Sequence, residues 1–232
     1  MPKAARSKED IERVRERILD EALAIISEHG FTYFSMRKLA SRLSMSATTI
    51  YNYYSNKDEL YLMILTRGFD MLYTKLAEIE QTTRDPLDTV RRIIRAYVEF
   101  GVENSNYYSI MFTADTPKYR DYIGTAIEPI AFFEKETALQ LITLGSRMVR
   151  EIFPGKKTMT EEEARFHTIR LWSTLHGIIS LYNSRVLHEV DDHPEKIMES
   201  ITDDLVKTFV QQLRDSVSPP VHTHLHGELS HA

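Results

Sequence analysis

The run Met36-Arg-Lys-Leu-Ala-Ser-Arg-Leu-Ser-Met-Ser-Ala-Thr-Thr-Ile-Tyr-Asn-Tyr-Tyr-Ser55 decides how the rest of the chain is read. It resolves into two short helices, Met36–Leu43 and Ala47–Tyr53, separated by Ser44-Met45-Ser46. Leu39, Ala40 and Leu43 give the first helix an inner face, and Ala40 is small where the second helix must pass close. Met45 plugs the turn, and Ile50 and Tyr54, four residues apart, give the second helix its inner face. Outward on that helix stand Ala47, Thr48, Thr49, Asn52 and Tyr53, with Tyr51 near the boundary. A purely structural amphipathic helix carries Lys and Glu there. Small hydrogen-bonding side chains with aromatics among them can instead enter a major groove and reach base edges.

Outward from this run, helical spacing continues. Upstream, Ile11, Val14, Ile18, Ala22 and Ile25 repeat at intervals of three and four, Ser7 with Asp10 resembles a capping box, and Gly30 supplies a stop. Downstream, Ser55 or Asn56 can cap a helix with Asp58 and Glu59 in its first turn, running to about Glu80. Breaks at Asp85-Pro86, Thr116-Pro117, Phe153-Pro154-Gly155 and Asp191-Asp192-His193-Pro194 divide the remainder into helical stretches near 87–104, 105–113, 118–152, 160–188 and 195–215. Pro129 marks a break or a new start within the third, and Thr160 with Glu163 is another capping-box match. No alternating strand run is present. The chain reads as all-α: a three-helix amino-terminal domain over 1–60, a larger helical domain over 61–216, and an extension over 217–232.

Charge supports that division. The net charge is −5, yet residues 1–60 hold ten Lys/Arg against nine Asp/Glu, so the acidity lies beyond them. Gly30 to Lys57 contains Arg37, Lys38, Arg42 and Lys57 and no acid, and phosphate affinity follows the local field rather than the sum. The absence of cysteine excludes disulfides, thiolate metal sites and cysteine nucleophiles. The longest uncharged windows, 43–56 and 171–184, fall short of the roughly 18 residues that span a bilayer. The charged start lacks a signal core, and a soluble cytoplasmic protein without membrane contact is expected.

Gly30-Phe31-Thr32, Met36-Arg37-Lys38-Leu39-Ala40 and Thr49-Ile50-Tyr51-Asn52-Tyr53-Tyr54-Ser55-Asn56-Lys57-Asp58-Glu59-Leu60 together resemble the amino-terminal domain of the tetracycline-repressor (TetR) family of bacterial transcription regulators. That family shows a Thr-Leu-Tyr-x-Tyr/His-Phe run followed by Lys in the next helix. The resemblance implies a base-contacting position at Arg37, a phosphate contact at Ser35, base or backbone contacts from Ala47, Thr48, Thr49, Tyr51, Asn52 and Tyr53, and phosphate binding by Lys57. Independently, a cation in the first turn of a helix opposes the macrodipole at roughly 0.3–1 kcal/mol, and a bound phosphate reverses that cost. One departure is Ser44, where the family usually has Gly. Either Ser44 adopts a left-handed backbone at a cost on the order of 1–2 kcal/mol, or the turn opens.

In the larger domain, Leu171-Trp172-Ser173-Thr174-Leu175-His176-Gly177 resembles the Trp…His-Gly signature of the family's WHG-type carboxy-terminal domains. The resemblance implies a dimeric regulator, in most such sequences a repressor released from a palindromic DNA operator by a small molecule. The aromatic concentration around Tyr97, Phe100, Phe112 and Phe133, with Trp172 and His176 one turn apart, suggests a pocket for an apolar or aromatic effector, with plain core as the bland alternative. Homodimerisation is expected through the last two long helices, where Ile178, Ile179, Leu181, Tyr182, Ile201, Leu205, Phe209 and Leu213 are more apolar positions than one face of a monomer needs. No cofactor or metal is expected, and His222, His224 and His226 read as solvated. Enzymes are disfavoured because no nucleophile, phosphate loop or metal-ligand pattern is present. A DNA-packaging protein without an effector is the remaining alternative, and an acidic, aromatic-rich second domain disfavours it.

Overall fold

A computed structural model describes residues 7–152 and 159–217, and every regular element among them is helical. α1 (Lys8–His29) begins on Ser7, whose hydroxyl accepts the Asp10 N–H at 3.1 Å, and ends at Gly30, where φ is 82°. Ile18, Ala22 and Ile25 of its stripe are buried, whereas Ile11 is exposed, because the first turns lie outside the core.

α2 (Met36–Arg42) and α3 (Ala47–Tyr51) follow, capped by Ser35 and Ser46. Leu39, Ala40, Leu43, Ile50 and Tyr54 are all buried against α1, α4 and one another, and Met45 packs on their edge. α3 is two residues shorter than its sequence suggests. After Tyr51 the chain tightens, and the Tyr53 N–H reaches the Ile50 carbonyl at 2.9 Å, three residues back. Between the helices Ser44 takes the left-handed conformation with φ of 54°, and the Met45 N–H closes the turn on the Ala40 carbonyl at 2.9 Å. The Gly-like turn is therefore kept at a strained serine. Ser44→Gly is expected to stabilise the fold by up to about 1 kcal/mol, the relief of strain being partly offset by glycine's greater freedom when unfolded. A thermal unfolding midpoint that fails to rise would show the turn to be unstrained.

α4 (Lys57–Thr82) starts on Asn56, whose side-chain oxygen accepts the Glu59 N–H at 2.8 Å, and continues far into the larger helical unit. Leu60 and Tyr61, at the boundary expected between the domains, are fully buried inside this one helix. Around it pack α5 (Pro86–Glu103), the short α6 (Ser105–Tyr108) and α7 (Glu128–Glu151). α6 runs on into a π-helical turn, Ser109–Thr113, closed by the Ala114 N–H on the Ser109 carbonyl at 2.8 Å. The stretch expected over 118–152 is instead a 3₁₀ turn, Tyr119–Tyr122, and then α7, with Pro129 in its first turn.

α8 (Glu161–Asn183) carries the Thr160–Glu163 capping box. The expected 160–188 helix divides, since Arg185 turns left-handed with φ of 62° and starts the short α9 (Val186–Val190). The Asn183 side-chain amide, donating to the Gly101 carbonyl at 2.9 Å, holds the end of α8 against α5. α10 (Pro194–Val217) packs on α5 and α8. Three glycines allow close crossings: a Cβ on Gly68 would lie 2.7 Å from Met111, on Gly101 2.8 Å from Ile179, and on Gly145 2.6 Å from Thr168. The Phe153-Pro154-Gly155 break and the 218–232 stretch with His222, His224 and His226 lie outside the described residues.

Candidate functional site

The outward residues of the helix-turn-helix share one face. Thr48, Tyr51 and Asn52 are exposed, and Ala47, Thr49 and Tyr53 half-buried, around the rim of α3. The Ser46 hydroxyl accepts the Thr49 N–H at 3.1 Å and lies 2.8 Å from the Thr49 hydroxyl, which fixes that side chain. Ser35 accepts the Lys38 N–H at 3.3 Å, and its own O–H remains free to donate outward.

Folding sorts the four cations of the acid-free run. Arg42 is taken by Glu21 and Glu28 of α1, with 2.7 Å to the latter, and that hydrogen bond holds the Glu28 carboxyl below its usual range. Lys38 donates to the Tyr33 carbonyl at 3.0 Å and lies over the Tyr33 ring. Lys57, the first residue of α4, sits 4.5 Å from the Phe31 ring centroid, a contact that positions the ammonium without neutralising it. Arg37 is exposed on α2 and has no carboxylate partner among the described residues. Of the four, Arg37 and Lys57 are therefore the cations without a carboxylate or carbonyl partner among the described residues. The roles of Phe31 and Tyr33 as supports were not visible in the sequence, because neither belongs to an amphipathic stripe.

The second site is a partly open cavity of about 310 Å³ lined by α4, α5, the π-helical turn, α7 and α8. Tyr97, Phe112 and Trp172 line it as the sequence suggests; Phe100, Phe133 and His176 do not. The cavity lies level with Ile93, Ile94 and Tyr97 of α5, so Phe100 falls a turn beyond it, buried in the core. Its α7 wall begins at Ala138, so Phe133 precedes the wall and points outward, 60% exposed. α8 presents Thr168, Leu171, Trp172 and Leu175, and His176 lies just round the helix against Tyr108 and Phe112.

A chain of hydrogen bonds nevertheless joins these groups. Trp172 Nε1 donates to the Tyr97 hydroxyl at 2.8 Å, Tyr97 and Tyr108 hydroxyls lie 3.4 Å apart, and Tyr108 meets His176 Nδ1 at 3.0 Å. Burial pushes the Tyr108 phenol up to about 12 and Tyr97 well above its ordinary value, so both stay neutral donors. The rest of the wall, Phe69 and Leu76 of α4 and the apolar residues between Ala138 and Val149 of α7, was not legible, because a cavity wall and a core repeat with the same period.

A segment from Ala114 to Ile127 links cavity and DNA-reading unit. Met111 and Phe112 line the cavity, and a few residues on, buried Thr116 accepts the Tyr61 hydroxyl of α4. The Tyr122 hydroxyl donates to Asp58, next to Lys57, at 3.4 Å. No helix of the described residues is long and apolar enough to cross a membrane.

Two family models match this chain: bacterial regulatory proteins of the tetR family over residues 18–64, and the tetracyclin repressor-like C-terminal domain over 90–205. The transcriptional activator FasR of Mycolicibacterium smegmatis is 29% identical over 101 residues, which span 44% of this chain and 46% of that protein. The uncharacterised regulator YobS of Bacillus subtilis is 22% identical over 200 residues, 86% of this chain and 92% of its own length. Among solved structures, the TetR-family regulator SCO4454 of Streptomyces coelicolor superposes with a TM-score of 0.66 at 15% identity, covering 87% of this chain and 96% of that one. The ketosteroid transcriptional regulator KstR2 of Mycobacterium tuberculosis gives 0.61 at 13%, covering 84% and 94%. With both family models placed on the two halves of one helical fold, the chain belongs to the tetR family and is a helix-turn-helix transcriptional regulator.

Proposed function

We propose that the protein is a dimeric repressor that reads a palindromic operator through residues 1–60 and is released when a small apolar or aromatic molecule enters the 61–216 unit. Ser35, Arg37, Ala47, Thr48, Thr49, Tyr51, Asn52, Tyr53 and Lys57 form the DNA-reading set; Tyr97, Phe112 and Trp172 belong to the effector wall. The observation that carries this reading is the joining of an exposed, small polar recognition face to an apolar cavity through one helix, α4. A packaging protein has no use for such a cavity, which disfavours that alternative. Release requires unequal affinity for the two head spacings, and about 1.4 kcal/mol of such coupling gives a tenfold loss of operator affinity.

The dimer reading rests on an unpartnered apolar face. Phe166, Ile169 and Leu181 of α8 are exposed, on one side of the helix with Ser173 and Gly177, and Ile197 and Ile201 of α10 are exposed beside them. A Cβ at Gly177 would meet nothing within 4 Å, which leaves room for a second helix to approach closely. Of the residues assigned to the dimer from sequence, Ile178, Ile179, Phe209 and Leu213 are instead buried within the protomer, where α8 and α10 pack into the bundle. Half of that apolar surplus is core.

Two measurements test the proposal. Light scattering is expected to give about twice the 27.0 kDa chain mass, with Leu181→Asp lowering it. Duplexes selected from a random pool are expected to converge on a twofold site, the half-sites about one helical turn or a multiple apart. A mass near that of one chain, or selection without convergence, would overturn it.

A further inference from the structure

Resting on the reading of the cavity as the effector site, we propose that its occupant is an uncharged apolar molecule with at most one hydrogen-bonding group, and that ionised acids are excluded. The first ground is the wall. None of its residues carries a charge: one side is built on Leu139, Leu141, Ile142, Leu144, Met148 and Val149 of α7, and the other on Tyr97, Phe112 and Trp172. The second ground is that its polar atoms are already engaged. The Trp172 N–H is donated to Tyr97, and the Thr168 hydroxyl is donated to the Ala164 carbonyl at 2.9 Å. Thr168 keeps acceptor lone pairs, and the Tyr97 hydroxyl keeps a donor to spare, its contact to Tyr108 being 3.4 Å long.

A carboxylate or phosphate in this space would lose its water and gain neither a cation nor a free N–H donor. The cations near the wall are turned elsewhere. Arg147, whose neighbour Met148 lines the cavity, forks onto Glu80 with contacts of 2.8 and 2.5 Å. Arg170, beside Leu171, lies against His167 and Phe166. His176 is not part of the wall: it lies behind Phe112, with its Nδ1 engaged by the Tyr108 hydroxyl. The volume of about 310 Å³ lies at the small end of ligand pockets, which suits a medium alkyl chain or a compact ring system.

Calorimetric titration of the full chain at pH 8 with decan-1-ol and with decanoate, two molecules that differ chiefly in charge, tests the inference. The alcohol is expected to bind at least about tenfold more tightly than the acid. Ile142→Trp, and Ala138→Phe as a second variant in case the first does not fold, are expected to remove that binding by filling the space. Ile142→Lys, which places an ammonium at the wall, is expected to shift the preference toward decanoate. If decanoate binds the unaltered protein as tightly as decan-1-ol and the filling variants abolish both, the cavity stands as the site and the exclusion of acids is wrong. If neither compound binds, or binding is indifferent to folded filling variants, the cavity is not the effector site and both readings fall.

Discussion

Lys57→Ala is expected to weaken binding to every duplex alike and to lower the salt slope of affinity by about 1 for each subunit engaged. Arg37→Ala and Asn52→Ala are expected to cost roughly 1–3 kcal/mol per half-site and to relax preference at particular base pairs. The two signatures differ because the groups differ. Lys57 is held over Phe31 at the start of α4, where a point charge meets backbone phosphate whatever the sequence. Arg37 on α2 and Asn52 just past the end of α3 are exposed, where on the proposed reading side chains would meet base edges. A twofold complex doubles each loss, which makes these the largest effects expected on DNA binding. Phe31→Leu, removing the ring but keeping an apolar contact, is expected to reproduce part of the Lys57→Ala effect. An unchanged salt slope for Lys57→Ala in a folded dimer would remove Lys57 from the phosphate-binding set.

The largest effect on stability is expected from Glu134. It is buried on α7, and burial pushes its carboxyl up to about 7 despite the nearby Lys118 ammonium. The groups facing it are Lys118, whose ammonium donates to Thr116 at 3.1 Å, and the buried Tyr61 phenol of α4. Folded Glu134 holds its proton more tightly than the unfolded chain does, from an ordinary value of 4.5. Its contribution is therefore most favourable below about pH 4.5, falls as pH rises towards 7, and is flat above. The span from 4.5 to about 7 corresponds to about 3 kcal/mol. Paired surface carboxylates slope the other way at lower pH, so the informative quantity is the difference between proteins. Denaturant unfolding of Glu134→Gln is expected to match the parent near pH 5 and to exceed it by up to about 3 kcal/mol near pH 8. Parallel pH profiles would show that Glu134 is hydrated or already ionised in the folded chain.

What the sequence revealed and what it hid follow from the range of the interactions. Helix starts were legible because a cap acts within three residues: Ser7 with Asp10, Asn56 with Glu59 and Thr160 with Glu163 all hold as local geometry. The recognition face was legible because Ile50 and Tyr54 leave only one side of α3 outward. That Arg42 is ion-paired was hidden by the acid-free run around it, because its partners, Glu21 and Glu28, come from a different helix. The left-handed break at Arg185 and the π-helical turn at 109–113 left no periodic trace, since each displaces the chain by a residue or less. Phe133 failed as a wall residue because it lies more than a turn before the wall begins, and His176 because aromatic composition marks a region while a change of one position rotates a side chain by about 100° on a helix.

That same rotation bears on the unbroken passage of α4 from the helix-turn-helix head into the larger helical body. No loop separates the two, and Leu60 and Tyr61 at the seam are both fully buried. A protease that nicks surface linkers finds no site there, so the head is not released intact by limited digestion. Grafting this head onto a relative's body becomes a matter of helical phase. A splice within α4 that is one residue too long or short turns the recognition surface by about 100° and moves it about 1.5 Å along the axis. In a twofold assembly both heads turn, and they no longer face the same side of the duplex.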